Sequence, residues 1–237
     1  MRKRIIALIS FLCYIVCWTQ AADEHYYFKN LSIKDGLSQT TVNAIMQDKK
    51  GFMWFGTKGG LSRYDGMSFR NFKRDMNDNH SLGNNFVTCL YEDNKGNIWV
   101  GTDAGMYIYY SDREIFVPFN RTVSAISGDK EGRVWIAVET QGLFCYEPQK
   151  EQLHNYTLNS FSANVQSVTS DNSGTIWVGF YGSGLFYSKD NLKTLHPYLS
   201  PKDGEEVFKD DVIMKIVPGA YNCIYISSIR KGVQELN

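Results

Sequence analysis

The chain is short of most features that mark an enzyme or a nucleic-acid binder. Its 25 Lys and Arg balance 25 Asp and Glu, and no basic stripe appears, so the electrostatic footprint of a nucleic-acid surface is missing. Only 4 histidines occur, His25, His80, His154 and His196, far apart and in different structural contexts. No HExxH, GxSxG, phosphate-binding loop or DxDxDG calcium loop is present. No CxxC pair occurs either, so neither a structural zinc site nor a redox pair is indicated, and no cofactor is expected. Of 5 cysteines, Cys89, Cys145 and Cys223 lie outside the N-terminal apolar stretch, and they read as buried thiols acting as small hydrophobes.

That stretch, Ile5–Trp18, spans 14 residues, too few for a comfortable membrane span. It follows Arg2-Lys3-Arg4 and precedes Thr19-Gln20-Ala21, with small residues at −3 and −1 for cleavage after Ala21. Residues 1–21 therefore read as a secretory signal peptide, with an uncleaved membrane anchor as the alternative. The mature chain is expected to have no membrane span and a net charge of −3, from 22 basic and 25 acidic residues.

What the chain does have is a recurring phrase. Gly51–Gly66 reads GFMWFGTKGGLSRYDG, and it returns at Gly96–Tyr110, Gly132–Glu147 and Gly174–Ser188. A degraded copy occupies Asn222–Leu236. The anchors Trp54, Trp99, Trp135, Trp177 and Tyr225 are separated by 45, 36, 42 and 48 residues. That period is too long for a coiled coil and suits a four-stranded propeller blade. Each unit places a short apolar run, a tight polar turn, x-W-x-G, a small loop and a second apolar run in order. These read as inner strands A and B and outer strands C and D. Four indoles filling the wedges between blades would each stabilise by roughly 1.5–3 kcal/mol. Gly56, Gly101 and Gly179 follow the Trp by two and imply close approach there; Ala137 in unit three narrows the requirement to a small residue.

The expected fold is all-β, a β-propeller of about five four-stranded antiparallel blades over residues 22–237. The units are 42–72, 86–119, 123–156, 165–196 and 212–237, with strand D of the fourth at Asn191–Leu195. Residues 25–34 read as an orphan outer strand, since Phe28-Lys29-Asn30-Leu31 matches Phe69-Arg70-Asn71-Phe72. This strand could complete the last sheet and close the ring, or the chain could be an open piece with two blade faces uncovered. Pro197–Asp211, the longest polar insertion, reads as a surface loop.

The run from Asp35 to Gly66 closely resembles the two-component regulator propeller repeat, matching at Asp35, Gly36, Leu37, Ser38, Val42, Ile45, Asp48, Gly51, Trp54, Gly56, Thr57, Gly60, Leu61, Tyr64, Asp65 and Gly66. Later units keep the turn glycine, the Trp and the glycine before strand C. The resemblance implies the periplasmic sensor region of Bacteroides-type hybrid histidine kinases, which read glycan fragments. Relatives of that kind carry two seven-bladed propellers, an immunoglobulin-like domain, a membrane helix and a kinase core. Against them this chain looks truncated, with no kinase motif, so no catalytic residue is assigned.

On this reading the B-to-C and D-to-A loops share a rim. They offer Asp103, Glu139, Tyr181 and Arg230 as ligand contacts, because carboxylate, aromatic and basic groups suit sugar hydroxyls and ring faces. No metal site is expected; Asp and Asn in the A-to-B turns read as backbone caps. The expected partners are an oligosaccharide, a second copy of the chain or the rest of a sensor kinase. The alternatives are an interaction or dimerisation propeller without a small ligand, a non-functional fragment, and, last, a propeller lyase or hydrolase.

Overall fold

The computed structural model describes residues 27–119, 121–138, 140–156, 164–202, 204–219 and 223–236. It divides into two units, residues 1–31 and 32–237. In the first unit, the described residues 27–31 form no strand, so the orphan outer strand expected there is not formed in them. The leader read at residues 1–21 lies outside the described residues.

The second unit opens with a single 3-10 turn, Ile33–Asp35, capped by Ser32. All else regular in it is antiparallel sheet, five sheets arranged as the blades of a propeller. Blade one comprises β1 (Val42–Gln47), β2 (Met53–Thr57), β3 (Gly60–Tyr64) and β4 (Phe69–Phe72). Blade two comprises β5 (Val87–Glu92), β6 (Ile98–Thr102), β7 (Gly105–Tyr110) and β8 (Ile115–Pro118). Blade three comprises β9 (Val123–Gly128), β10 (Val134–Val138), β11 (Gly142–Glu147) and β12 (Gln152–Tyr156). Blade four comprises β13 (Val165–Ser170), β14 (Ile176–Phe180), β15 (Gly184–Ser188) and β16 (His196–Pro197). Blade five has three strands, β17 (Ile213–Pro218), β18 (Ile224–Ser228) and β19 (Gly232–Leu236), and no fourth strand pairs with β19 among the described residues.

Strand boundaries lie within two residues of the sequence reading, except for the outer strand of blade four. That strand is β16 at His196–Pro197 and not Asn191–Leu195. Asn191 and Leu192 have φ of 56° and 61°, and the Asp190 carboxylate accepts from the backbone N–H and hydroxyl of Thr194. These local bonds hold residues 190–194 in a turn and delay the strand. The insertion after it is less of a free loop than its composition implies. Phe208 is buried within it, and Leu199 forms a β-bridge with Glu206.

The core is not a single centre but a series of wedges. Trp54 packs with Val87, Ile98, Tyr109 and Phe116 of blade two. Trp99 packs with Val134, Ile136 and Phe144 of blade three, and Trp135 with Val168, Val178 and Phe186 of blade four. Trp177, half-buried, lies against the isoleucines of blade five. Each anchor thus faces the blade that follows it. Tyr225 occupies the same register in blade five, opposite Val217 and Glu235, and is 41% exposed, with no blade packed on it among the described residues. The reverse face of blade one is uncovered at Ile45, 62% exposed, whose counterparts Ile126 and Val168 are buried. Among the described residues four wedges join five blades, and none joins blade five to blade one.

Every inner strand also carries a β-bulge near its start, shifting register between Val42 and Ala44 and at equivalent points in the other blades. The extra residue links neighbours: Asn43 donates to the Val87 carbonyl at 2.8 Å, and Ser124 to that of Val165 at 2.6 Å. Cys89, Cys145 and Cys223 are unpaired and buried, as their spacing implied. Burial raises the thiol pKa of Cys145 to about 12, so it is inert as a nucleophile.

Candidate functional site: the two rims of the propeller

The A-to-B turns are the most regular feature of one rim. In each of blades one to four an aspartate six residues before the Trp organises the turn. One oxygen of Asp48 accepts the N–H groups of Lys50 and Phe52, both at 2.9 Å, and the other accepts the Trp54 indole N–H at 2.7 Å. Asp93, Asp129 and Asp171 repeat this with Trp99, Trp135 and Trp177 at 3.0, 2.8 and 2.8 Å. The turn glycines sit at φ of 80° to 90°, where side chains are disfavoured. The caps expected from sequence are present, but they also tie the turn to the wedge Trp, which the sequence reading missed. The signal was a fixed D-x-x-G-x-x-W spacing. In unit five Gly219 replaces the aspartate and Tyr225 the Trp, so donor and acceptor are lost together.

Asp171 shows the electrostatic consequence. Burial pushes its pKa up, but bonds from Ser173, Trp177 and the Thr175 backbone outweigh this and hold it below the ordinary 3.8. A folded-state pKa below the unfolded one adds stability at neutral pH that is lost as pH falls through the folded value. Asp171→Asn should therefore lower the urea midpoint at pH 7 and flatten its decline toward pH 3. An unchanged acid limb would count against this account.

Of the residues picked from sequence, Asp103, Tyr181 and Arg230 lie on the opposite rim. The backbone N–H groups of Lys58, Asp103, Tyr181 and Ile229 make equivalent bonds, to the carbonyls of Thr41, Phe86, Asn164 and Val212. Asp103 and Tyr181 therefore occupy matching positions. The matching residue of blade five is Ile229, with Arg230 one place further along. Asp103, Tyr181 and Arg230 are exposed, and no hydrogen bond or ion pair joins them to one another. Glu139 lies outside the described residues.

Beside the D-to-A segment Pro118, Phe119 and Arg121, with Leu153, line an open hollow of about 340 Å³, and the A-to-B rim carries recessed space as well. Between blades one and two, Lys50, Lys95, Asn97, Tyr110, Ser111 and Arg113 contribute to a cleft of about 420 Å³. It shares Lys95, Asn97, Tyr110 and Arg113 with an adjoining hollow of about 230 Å³ that reaches Trp99 and Tyr146. The cleft is held rigid by its neighbours. The Lys49 N–H donates to Glu92 at 2.8 Å and its ammonium to the Asp93 carbonyl at 2.9 Å, pinning one turn to the next. Ser111 donates to the Gly96 carbonyl at 3.0 Å, joining the two turns within blade two. Similar hollows of about 440 and 400 Å³ lie by blades three and four. Among the described residues no group of three or more His, Cys, Asp or Glu could hold a metal, and no helix is long and apolar enough to cross a membrane.

Blades joined by indole-filled wedges define a β-propeller, and hollows lie at its rims. Residues 36–59 and 81–104 match the two-component regulator propeller family, and the chain carries repeats of that kind at both places. Over 77 residues it is 36% identical to histidine kinase P4 of Formosa agariphila, a match of 32% of this chain and 5% of that kinase. Its fold is similar to the extracellular domain ascribed to the hybrid two-component system BT3049 of B. thetaiotaomicron. That likeness has a TM-score of 0.68 at 21% identity, over 90% of this chain and 36% of the other. Virginiamycin B lyase of Staphylococcus aureus shares the fold at a TM-score of 0.59 and 11% identity, over 81% of this chain and 68% of the lyase. The chain thus spans about a third of the sensor domain, and the propeller fold itself occurs in both a sensor and an enzyme.

Proposed function

We propose that this chain is the ligand-sensing propeller of a two-component signalling protein, exported across the membrane by its leader, and that it reads oligosaccharides without transforming them. The observation that carries the reading is the pair of two-component propeller repeats, which build the rim where the preformed cleft lies. Its mixture of aromatic, amide, hydroxyl and basic groups suits a sugar, and its size falls within the range of small-molecule sites, roughly 300–1,000 Å³. The opposite rim, with Asp103, Tyr181 and Arg230, is the competing ligand face.

The test is thermal unfolding against a panel of oligosaccharides. A ligand at a hundred times its Kd should stabilise the fold by about 2.7 kcal/mol. Tyr181→Ala and Asp103→Ala should abolish the shift if the B-to-C rim binds, and Tyr110→Ala if the cleft binds. A panel that shifts nothing overturns the sugar reading. A second reading, a protein-interaction propeller, is favoured by the uncovered end faces at Ile45 and at Val217, Tyr225 and Val233. The partner would be a second copy or the remainder of a sensor, and concentration-dependent association by sedimentation would reveal a second copy.

A further inference from the structure

The cleft between blades one and two differs in charge from its counterparts. The residue before the turn glycine is Lys50 in blade one and Lys95 in blade two, but Glu131 in blade three and Ser173 in blade four. Because the Asp cap takes the backbone N–H of each of these residues, at 2.9–3.0 Å, the four side chains leave the rim from equivalent, fixed positions. Lys50 and Lys95 are therefore presented side by side on adjacent blades. Arg113 completes the group, its guanidinium 4.5 Å from the centre of the Tyr110 ring.

In the larger cleft three cations face one carboxylate. Asp112 is the sole carboxylate lining the larger cleft, and it lies 3.7 Å from Arg113. The adjoining hollow adds Glu151 and Asp93, the latter buried with both oxygens bonded to the turn, Asn97 and Trp99. Among the described residues no carboxylate lies within ion-pairing distance of the Lys50 or Lys95 ammonium. At blade three the same rim is internally neutralised: Arg133 pairs with Asp129 and Glu131, and Lys150 with Glu147 at 2.6 Å. Cations gathered in a concave site, with neither lysine paired to a carboxylate, attract an anion. The cleft is too large for a lone sulfate or phosphate, and Asn97 and Ser111 beside the cations suit sugar hydroxyls.

We propose that the cleft of Lys50, Lys95, Arg113 and Tyr110 binds an acidic oligosaccharide, its sulfate ester or uronate carboxylate held by the three cations. This rests on the oligosaccharide reading above and narrows it to a ligand class and a face.

The experiment is calorimetric titration of the full chain with trigalacturonate, a sulfated disaccharide, neutral maltotriose and sodium sulfate, in the parent and in Lys50→Gln, Lys95→Gln and the double variant. Both lysines are exposed, so the variants should unfold as the parent does. The expected result is binding of one or both acidic sugars, with each lysine lost costing roughly tenfold in affinity. Binding should also weaken as salt rises from low to physiological strength. Preference between trigalacturonate and the sulfated disaccharide tells carboxylate from sulfate recognition. Binding of maltotriose alone, tight binding of sodium sulfate alone, or acidic-sugar binding that survives the double variant overturns the inference. The first and third of these leave the sugar-sensing reading standing. Absence of binding by every sugar removes both.

Discussion

Truncating Trp99 to alanine should lower the unfolding free energy by about 3–5 kcal/mol, whereas Tyr225→Ala should cost under about 1 kcal/mol. The two residues hold the same place in the repeat, so the contrast isolates context from position. Trp99 is 1% exposed between blades two and three, with Phe119 and Tyr146 rings 5.7 and 5.3 Å away. Its loss opens a cavity the flanking sheets cannot collapse into, and it takes away one donor to the buried Asp93. Trp99→Phe separates the two effects: it keeps most of the packing and removes only the N–H. Its cost should be about 1–3 kcal/mol, since a buried acceptor loses a partner. Asp93 retains Asn97 as a second donor to the same oxygen, so Trp54→Phe should cost more: among the described residues no other hydrogen bond reaches that Asp48 oxygen. Urea denaturation of the four variants decides it. Equal costs for Trp99→Ala and Tyr225→Ala would mean that Tyr225 is covered in solution and that the face of blade five is not free.

The blade repeat was legible because its causes are local. Turn aspartates and glycines, an apolar strand on each side and a Trp at fixed spacing suffice to specify a blade, and four tryptophans in matching registers were foreseen from their period. The features that escaped depend on what lies across a wedge. Nothing in YGSGLFYSKDNLKTLHPYL announces that Asp190 will cap a turn and push the outer strand to His196, because the competing bonds are local ones, from Ser188 and Thr194 to Asp190 and from the Leu192 N–H to the Ser188 hydroxyl. The closing role given to residues 25–34 rested on a four-residue likeness, Phe28–Leu31 against Phe69–Phe72. In blade one those positions pair with a β3 that packs beneath them, whereas residues 27–31 form no strand at all. The site was read from the B-to-C loops because their residues looked chemically mixed. The A-to-B rim was dismissed as capping, although Lys50 and Lys95 precede the turn glycine in two successive units and the sign changes at Glu131. Charge at equivalent places in successive repeats is a signal that can be read only once repeats are stacked in order.

Gly101→Ala should destabilise the propeller by about 1–3 kcal/mol through overpacking, and adding Cys89→Ala should recover part of that loss. A Cβ on Gly101 would stand 2.4 Å from the Cys89 sulfur and 2.8 Å from Cγ2 of Val123, so its neighbours must move. The sequence reading expected backbone to come close here. The structure puts side chains there instead: the opposed residue of the inner strand and the first residue of the next blade's inner strand. The same geometry holds at Gly56, 2.6 Å from Val87 Cγ1, and at Gly179, 2.5 Å from Ile213 Cγ2. Unit three shows how the requirement can be relaxed. Ala137 pairs with Ala125, where unit two pairs Gly101 with Cys89. Both alanines are buried, and their combined volume is divided evenly across the ladder instead of being placed on one side. Converting unit two to the alanine pair removes the sulfur clash and leaves the contact with Val123. The double variant should therefore lie above the sum of the single effects by at least about 0.5 kcal/mol, while staying below the parent. Strict additivity in urea denaturation would show that Val123 alone sets the limit, and the small-residue rule after each Trp would then belong to the next blade rather than to the blade that carries it.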